Sequence, residues 1–303
     1  CKPIWGCDEA MFEIFGISSQ LLFSQLLLGL INGAFYAMLS LGLAVIFGML
    51  NVINFTHGAQ YMMGAFAAWL LLGILDVPFW FALVLSPLIV GLFGVLLERL
   101  MLKRIYHLDH LYGFLLTFGL ALVIEGLFQA KWGSGGAPYP NPIPGGYNLG
   151  FMFLPAYRGF VVVAALVICL LTWYAIERTK LGAYLRAATE NPTLVRAFGI
   201  NVPRLITLTY GLGVGLAALA GVLAAPIQQV SALMGTNLVL VVFAVVVIGG
   251  MGSIMGSIVT GFGLGLIEGL TKVFYPPASN TVIFVVMALV LLIKPAGLFG
   301  QTK

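Results

Sequence analysis

Three groups of residues in this chain carry side chains that could do chemistry. Asn51, Asn54 and His57 stand three positions apart, with Thr56 and Gln60 beside them, so on a helix they share one face. Polar groups at membrane depth are costly and face a bundle interior or a water-filled path, so this set either cross-links helices or lines a route for a solute. Gly58 directly after His57 suggests a break there, with backbone groups left free. His57 has no second ligand at a useful spacing and makes no metal site. Glu125 and Glu268 lie well inside apolar runs, and an intramembrane acid is a candidate proton carrier. A relay needs several such groups or a basic partner at similar depth; two acids alone favour structural, hydrogen-bonded roles. The third group is cationic. Charged residues make up 8% of the chain, yet Arg178, Lys180, Arg186, Arg196 and Arg204, five of its fourteen Lys and Arg, fall between Glu177 and Arg204.

The elements that must position these groups follow from composition. Hydrophobic residues are 61% of the sequence and mean hydropathy is +1.09, against roughly 45–50% apolar in a soluble domain. The solvent for such a chain is lipid. About twenty apolar residues cross a bilayer as a helix, and the candidate runs are roughly 21–49, 59–75, 78–98, 112–130, 158–177, 204–227, 237–250, 256–273 and 281–293. The reading is an all-α polytopic membrane protein of about eight to ten crossings, one transmembrane domain over residues 1–303. Several runs are too short for a simple span and predict broken or re-entrant segments, which lipid tolerates only where protein or water satisfies the backbone. Neither a soluble domain nor a basic secretory leader is expected. Cys169 sits in an apolar run, and a bridge between Cys1 and Cys7 requires an external N-terminus.

Orientation follows from the basic residues, which collect on the cytoplasmic side. Arg99, Lys103, Arg104, the five of the 178–204 cluster, Lys294 and Lys303 fall on one side; Lys2, Lys131, Arg158 and Lys272 fall on the other. Ten against four makes the first set cytoplasmic, together with the C-terminus, and makes 131–157 an external loop, rich in Pro and Gly and so in turns. The net charge of +4 belongs to this asymmetry and does not point to nucleic acid.

Within the cytoplasmic segment 178–204, Asn191 is an N-cap and Pro192 a first helical residue that loses nothing by lacking an N–H. Gly199 follows as a C′ glycine. Thr193 to Phe198 then make about two turns, presenting Leu194, Val195 and Phe198 with Arg196 beside them. So short a helix is marginal alone in water and needs a surface to lie against, either lipid headgroups or a cleft on a cytoplasmic partner. Glycines four apart at Gly211/Gly215, Gly252/Gly256 and Gly261/Gly265 let helix backbones approach closely. No Walker lysine, strand-flanked glycine loop or nucleophile–base pair is present, so no catalytic centre is expected. Tyr36–Gly48 and Tyr210–Val222 echo one another faintly.

These residues, taken as LINGAFYAMLSLGLAVIFGMLNVINFTHGAQYMMGAF (30–66), RAATENPTLVRAFGINVPRLITLTYGLGVGLAALAGVLAAP (186–226), VVVIGGMGSIMGSIVTGFGLGLIE (245–268) and LLIKPAGLFG (291–300), resemble high-affinity branched-chain amino acid ABC importer permeases of the LivH type. The likeness runs in order from about residue 20 to the end; related permeases serve urea, short amides and other amino acids, so the resemblance implies a small solute, branched-chain or other amino acids first among them. It implies a heterodimer with a homologous LivM-type permease, two cytoplasmic ATPase subunits that bind ATP and Mg, and a periplasmic or extracellular solute-binding protein, in a bacterial or archaeal plasma membrane. No cofactor is then expected on this chain. The resemblance makes Glu190, Asn191, Pro192, Leu194, Val195, Arg196, Phe198 and Gly199 the ATPase-coupling element, and has Asn51, Asn54, Thr56 and His57 line or brace the translocation path. The competing reading is an ion- or proton-coupled secondary transporter in which Glu125 and Glu268 are the coupling acids.

Overall fold

An apolar chain in lipid must satisfy its own backbone, and a helix does so within one segment. The computed structural model, which describes residues 13–14, 17–50, 54–106 and 108–300, is correspondingly helical. Asn51 and the Cys1–Cys7 pair lie outside the described residues. The helices are α1 (Ser19–Leu50), α2 (Thr56–Leu75), α3 (Phe79–Leu100), α4 (His110–Trp132), α5 (Ala156–Glu177), α6 (Lys180–Glu190), α7 (Pro192–Ala197), α8 (Val202–Ala224), α9 (Thr236–Gly249), α10 (Ile254–Phe274) and α11 (Val282–Ile293). Seven of them, all but α6, α7, α9 and α11, are long and apolar enough to cross a membrane. With 14 and 12 residues, α9 and α11 are the short elements that the sequence anticipates.

Helix α1 is the axis. Its most apolar window is 83% buried, against 28% for α4 and 17% for α5, which therefore flank the bundle. Against α1 runs α10, antiparallel and backbone to backbone. Gly29, Gly33 and Ala37 meet Gly269, Gly265 and Gly261 in turn. A methyl group on Gly261 would stand 2.6 Å from Ala37 Cα, and one on Gly33 would stand 3.0 Å from Phe262 Cα. Ser40 Oγ lies 3.4 Å from Ser257 O further along the same seam.

Helix α8 packs a different small residue against each neighbour. Gly211 and Gly215 face Val95 and Pro87 of α3; Gly213 faces Gly42 and Ile46 of α1; Gly221 faces Tyr61 of α2. The two faintly echoing stretches therefore touch, at Gly42 and Gly213. The expected Gly252/Gly256 ridge is not a helix face. Gly252 precedes α10 with φ +85° and abuts Gly48, while Gly256 packs on Gly249 across the α9–α10 turn.

Two irregular regions support this bundle. In the loop 131–157 the expected turns build a hairpin, with β3 (Gly146–Asn148) antiparallel to β4 (Phe153–Pro155), held to α1 by Ser24 Oγ donating to Phe151 O at 3.2 Å. Ala137 pairs with Val230, so the loop also caps the irregular stretch between α8 and α9. The closing KPAGLFG run folds back on the end of α9: Leu298 N donates to Ile248 O at 2.8 Å and Phe299 N to Gly249 O at 3.1 Å. Gly250 (φ +101°) and Gly297 (φ +80°) make that approach possible, in a backbone region that side chains rarely adopt.

Replacing Gly265 by Val should break the α1–α10 seam, costing at least about 1–3 kcal/mol through overpacking and lowering the thermal midpoint of the purified protein. Gly126, whose added methyl would meet nothing within 4 Å, gives the contrast. Gly126→Ala should be neutral or stabilise by roughly 0.5–1 kcal/mol. Equal effects at the two sites would refute the seam.

Candidate functional site

The segment 178–204 folds as α6, α7 and the entry to α8. One face of α6 is buried through Gly182, Leu185 and Ala188, spaced three apart as a helix stripe requires. Its Arg186 bonds Glu177 Oε2 at 3.2 Å, an exposed pair worth little by itself. Helix α7 is closed at both ends. Asn191 Oδ1 accepts from Leu194 N at 2.9 Å and Pro192 sits in the first turn. At the other end Gly199 (φ +81°) donates to Arg196 O at 2.9 Å and Ile200 N to Val195 O at 3.4 Å, the doubled closure that satisfies the last carbonyls of a helix. Asn201 repeats the device at the start of α8, accepting from Arg204 N at 3.1 Å.

Capping brings Val195 inward, where it packs with Ala188, Val202 and Ile200. Val195 is therefore an anchor, not part of the presented face; the C-terminal closure aims it at Ile200. Glu190 closes α6 and does not open α7. Phe198 is the residue just past α7 and is 77% exposed, with Leu194 at 54% and Arg196 also exposed. A short helix pinned from behind by valine and presenting Phe and Leu outward is a rigid, unpartnered knob.

The second group is a buried knot at the start of α2. Asn54, Thr56, His57 and Gln60 are all essentially inaccessible. Thr56 Oγ1 donates to Asn54 Oδ1, Asn54 Nδ2 to Gln60 Oε1 at 3.2 Å, and Gln60 Nε2 approaches Thr56 Oγ1 at 3.4 Å and Tyr210 Oη of α8 at 3.5 Å. His57 Nε2 stands 2.9 Å from Leu39 O on α1, where only the N–H tautomer at Nε2 can donate. That approach needs Gly42, whose added Cβ would stand 3.0 Å from the imidazole. Phe55 N donates to Thr117 Oγ1 of α4 at 3.2 Å. Four helices are thus tied at one point, and the geometry is that of a brace. Asn54 lies before the helix, so it does not share a helical face with His57. Nor is Gly58 a break: it is helical, and lacks a side chain because Gly235 O would stand 2.7 Å from one.

The two intramembrane acids part company. Glu268 on α10 accepts from Tyr36 Oη at 2.7 Å, from Asn32 Nδ2 at 3.3 Å and from Lys272 Nζ at 2.5 Å. Three donors, two of them on α1, make it a polar rivet in the glycine seam, and Lys272 is the basic partner one turn away. Glu125 lies on the packed side of α4, and the structure does not bring it together with Glu268. A third acid, Glu98 on α3, is 1% exposed and bonds Tyr106 and Thr207. Reading the sequence missed it because it stands beside Arg99 at the end of an apolar run, where an exposed charge is the ordinary expectation. Among the described residues no group of three His, Cys, Asp or Glu could hold a metal ion, and Cys169 is a buried free thiol.

Comparison with known proteins places this geometry in context. Residues 25–292 match a family described as the permease component of branched-chain amino acid transport systems. The chain is 29% identical to the high-affinity branched-chain amino acid transport system permease protein BraD of Pseudomonas aeruginosa, over 92% of this chain and 96% of that one. It is 26% identical to LivH of Escherichia coli K12, covering 95% and 99%. It is 28% identical to a probable LivH of Methanocaldococcus jannaschii, covering 87% and 88%.

Asn191→Ala should remove the α7 cap at a cost of about 1 kcal/mol. Amide hydrogen exchange should then quicken across residues 192–200 and remain unchanged in α2. Protection that is equal in variant and parent would show that α7 is held by something other than its cap.

Proposed function

The chain belongs to the family of permease components of branched-chain amino acid transport systems, and on that premise we propose that it is the membrane-spanning subunit of an ATP-driven importer for branched-chain amino acids. The observation that carries the proposal is α7, a capped two-turn knob with Phe198 and Leu194 turned outward and Val195 locked behind. A carrier driven by an ion gradient needs no such docking element. The three donors on Glu268 suit a structural acid better than a proton carrier.

In this reading two cytoplasmic ATPase subunits bind ATP and Mg, a second permease of the LivM type completes the membrane path, and a periplasmic or extracellular binding protein delivers the amino acid. This chain performs no hydrolysis. Closure of the ATPase pair displaces α6 and α7, and α8 carries the displacement to the knot where Gln60 meets Tyr210. Asn54, Thr56 and His57 brace the path and Glu190 to Gly199 form the coupling element, with the C-terminus on the cytoplasmic side. ATP drives the switch because it binds the closed and open arrangements with different affinity; a ligand without that difference shifts nothing.

Arg196→Glu combined with Phe198→Ala should abolish amino acid uptake into cells while the permease still reaches the membrane at normal abundance. Copurification of ATPase activity with the tagged protein should fall in parallel. Wild-type uptake in that double variant would sink the coupling role of α7. Transport by the lone polypeptide down an ion gradient in liposomes, with no associated ATP hydrolysis, would sink the importer reading altogether.

A further inference from the structure

Glu98 has no role in the scheme above, yet it occupies the point where the coupling segment meets the bundle. Its carboxyl group takes Thr207 Oγ1 of α8 at 2.8 Å and Tyr106 Oη of the α3–α4 connection at 3.0 Å. Burial, reinforced by the neighbouring Glu98, pushes the Tyr106 phenol above its ordinary range, so Tyr106 remains a donor at any physiological pH. Thr207 is different. Its hydroxyl also lies 3.0 Å from Pro203 O, one turn back on its own helix. A hydroxyl has one proton, so Thr207 can serve either the carboxyl group of another helix or the carbonyl of its own. Two acceptors thus stand within reach of a single donor.

Next to it lies a cavity of about 200 Å³, lined by Glu98, Lys103, Tyr106, Arg196, Pro203 and Ile206. Both cations border the space without pairing with the acid: the ion pairs among the described residues are Arg186–Glu177 and Lys272–Glu268. Arg196 belongs to α7, and Glu98 to α3. A buried acid, an unpaired arginine on the moving element and an unfilled gap between them form an incomplete contact.

Given the coupling role of α7, on which this inference rests, we propose that Glu98 is the positioning residue that passes movement of α7 into α3 and α8. When α7 is pressed toward the bundle, Arg196 crosses the gap and pairs with Glu98. The guanidinium draws the carboxyl group toward α7 and away from Thr207, whose hydroxyl then hydrogen-bonds Pro203 O alone, and α8 is freed to slide along α3. Relaxation of α7 reverses the exchange. Leu194 and Phe198 keep the outward docking face, so Arg196 acts inward.

The test is a double-mutant cycle in the complete complex, purified from native membranes and placed in liposomes with its binding protein. Labelled leucine, isoleucine and valine taken up per ATP hydrolysed is the readout. Glu98→Gln and Arg196→Gln should each lower that ratio about fivefold or more, with the double variant no worse than either single. Thr207→Val keeps the carboxyl group and the shape of the site but removes the exchanging donor, and should lower the ratio as well. Effects that multiply in the double variant, or a wild-type ratio in Thr207→Val, would overturn the proposal. A merely structural Glu98 would reduce the yield and thermal midpoint of assembled complex and leave the ratio intact. Absence of ATP-driven uptake in the wild-type complex would remove the importer reading itself; normal wild-type coupling with multiplicative effects would remove only the role of Glu98.

Discussion

The approach of α1 to α10 is the constraint on which the rest of this molecule depends. In lipid, apolar side chains gain little by leaving one apolar surface for another, so helices associate through packing and polar bonds. Gly29, Gly33 and Ala37 against Gly261, Gly265 and Gly269 supply the packing. Glu268, bonded across the same seam by Asn32 and Tyr36, supplies the polar bond. Each needs the other. The carboxyl group reaches both partners only because the backbones are close, and buried with fewer partners it would be a destabilising group.

With α1 fixed, α8 has its place, and its glycines are shared out by direction. Gly213 is set against α1, Gly211 and Gly215 against α3, and Gly221 against α2. Interfaces without side-chain interlock resist separation but permit sliding, whereas those closed by polar bonds do not. On α8 the polar bonds to other helices sit at Thr207 and Tyr210, one turn apart and near the end that receives α7, and at Leu223 O, which accepts from Tyr157 Oη of α5 at 2.8 Å near the other end. Between Tyr210 and Leu223 the helix runs largely on glycine and alanine, so movement entering from the coupling segment is held at both ends and least in the middle.

Much of this was legible in the chain itself. The caps at Asn191 and Gly199 follow from local chemistry that does not depend on distant residues, and both are as expected. The long apolar runs likewise became helices, including the two too short to span. The direction in which side chains point was harder to read. Val195 and Leu194 are neighbours of equal hydrophobicity, and only the return of the chain through Ile200 to α8 decides which is buried. Gly58 looked like a break because a glycine gives the same signal whether it bends its own helix or admits another backbone. The choice was made by Gly235, far away in sequence. Glu98 was illegible for the same reason, since its partners Tyr106 and Thr207 are ordinary residues until the fold brings them to one carboxyl group.

The fold-back of residues 297–299 onto the end of α9 has a consequence for biosynthesis. The carbonyls of Ile248 and Gly249 are satisfied by amides of Leu298 and Phe299, which leave the ribosome only after α10 and α11 have been made. Until then the turn that seats Gly252 against Gly48 carries open acceptors. The end of α9 is therefore completed late, by backbone groups synthesised after every spanning helix. Chains cut short before Leu298 would leave that latch unfastened, and membrane quality control can recognise such chains without any damage to the helices themselves.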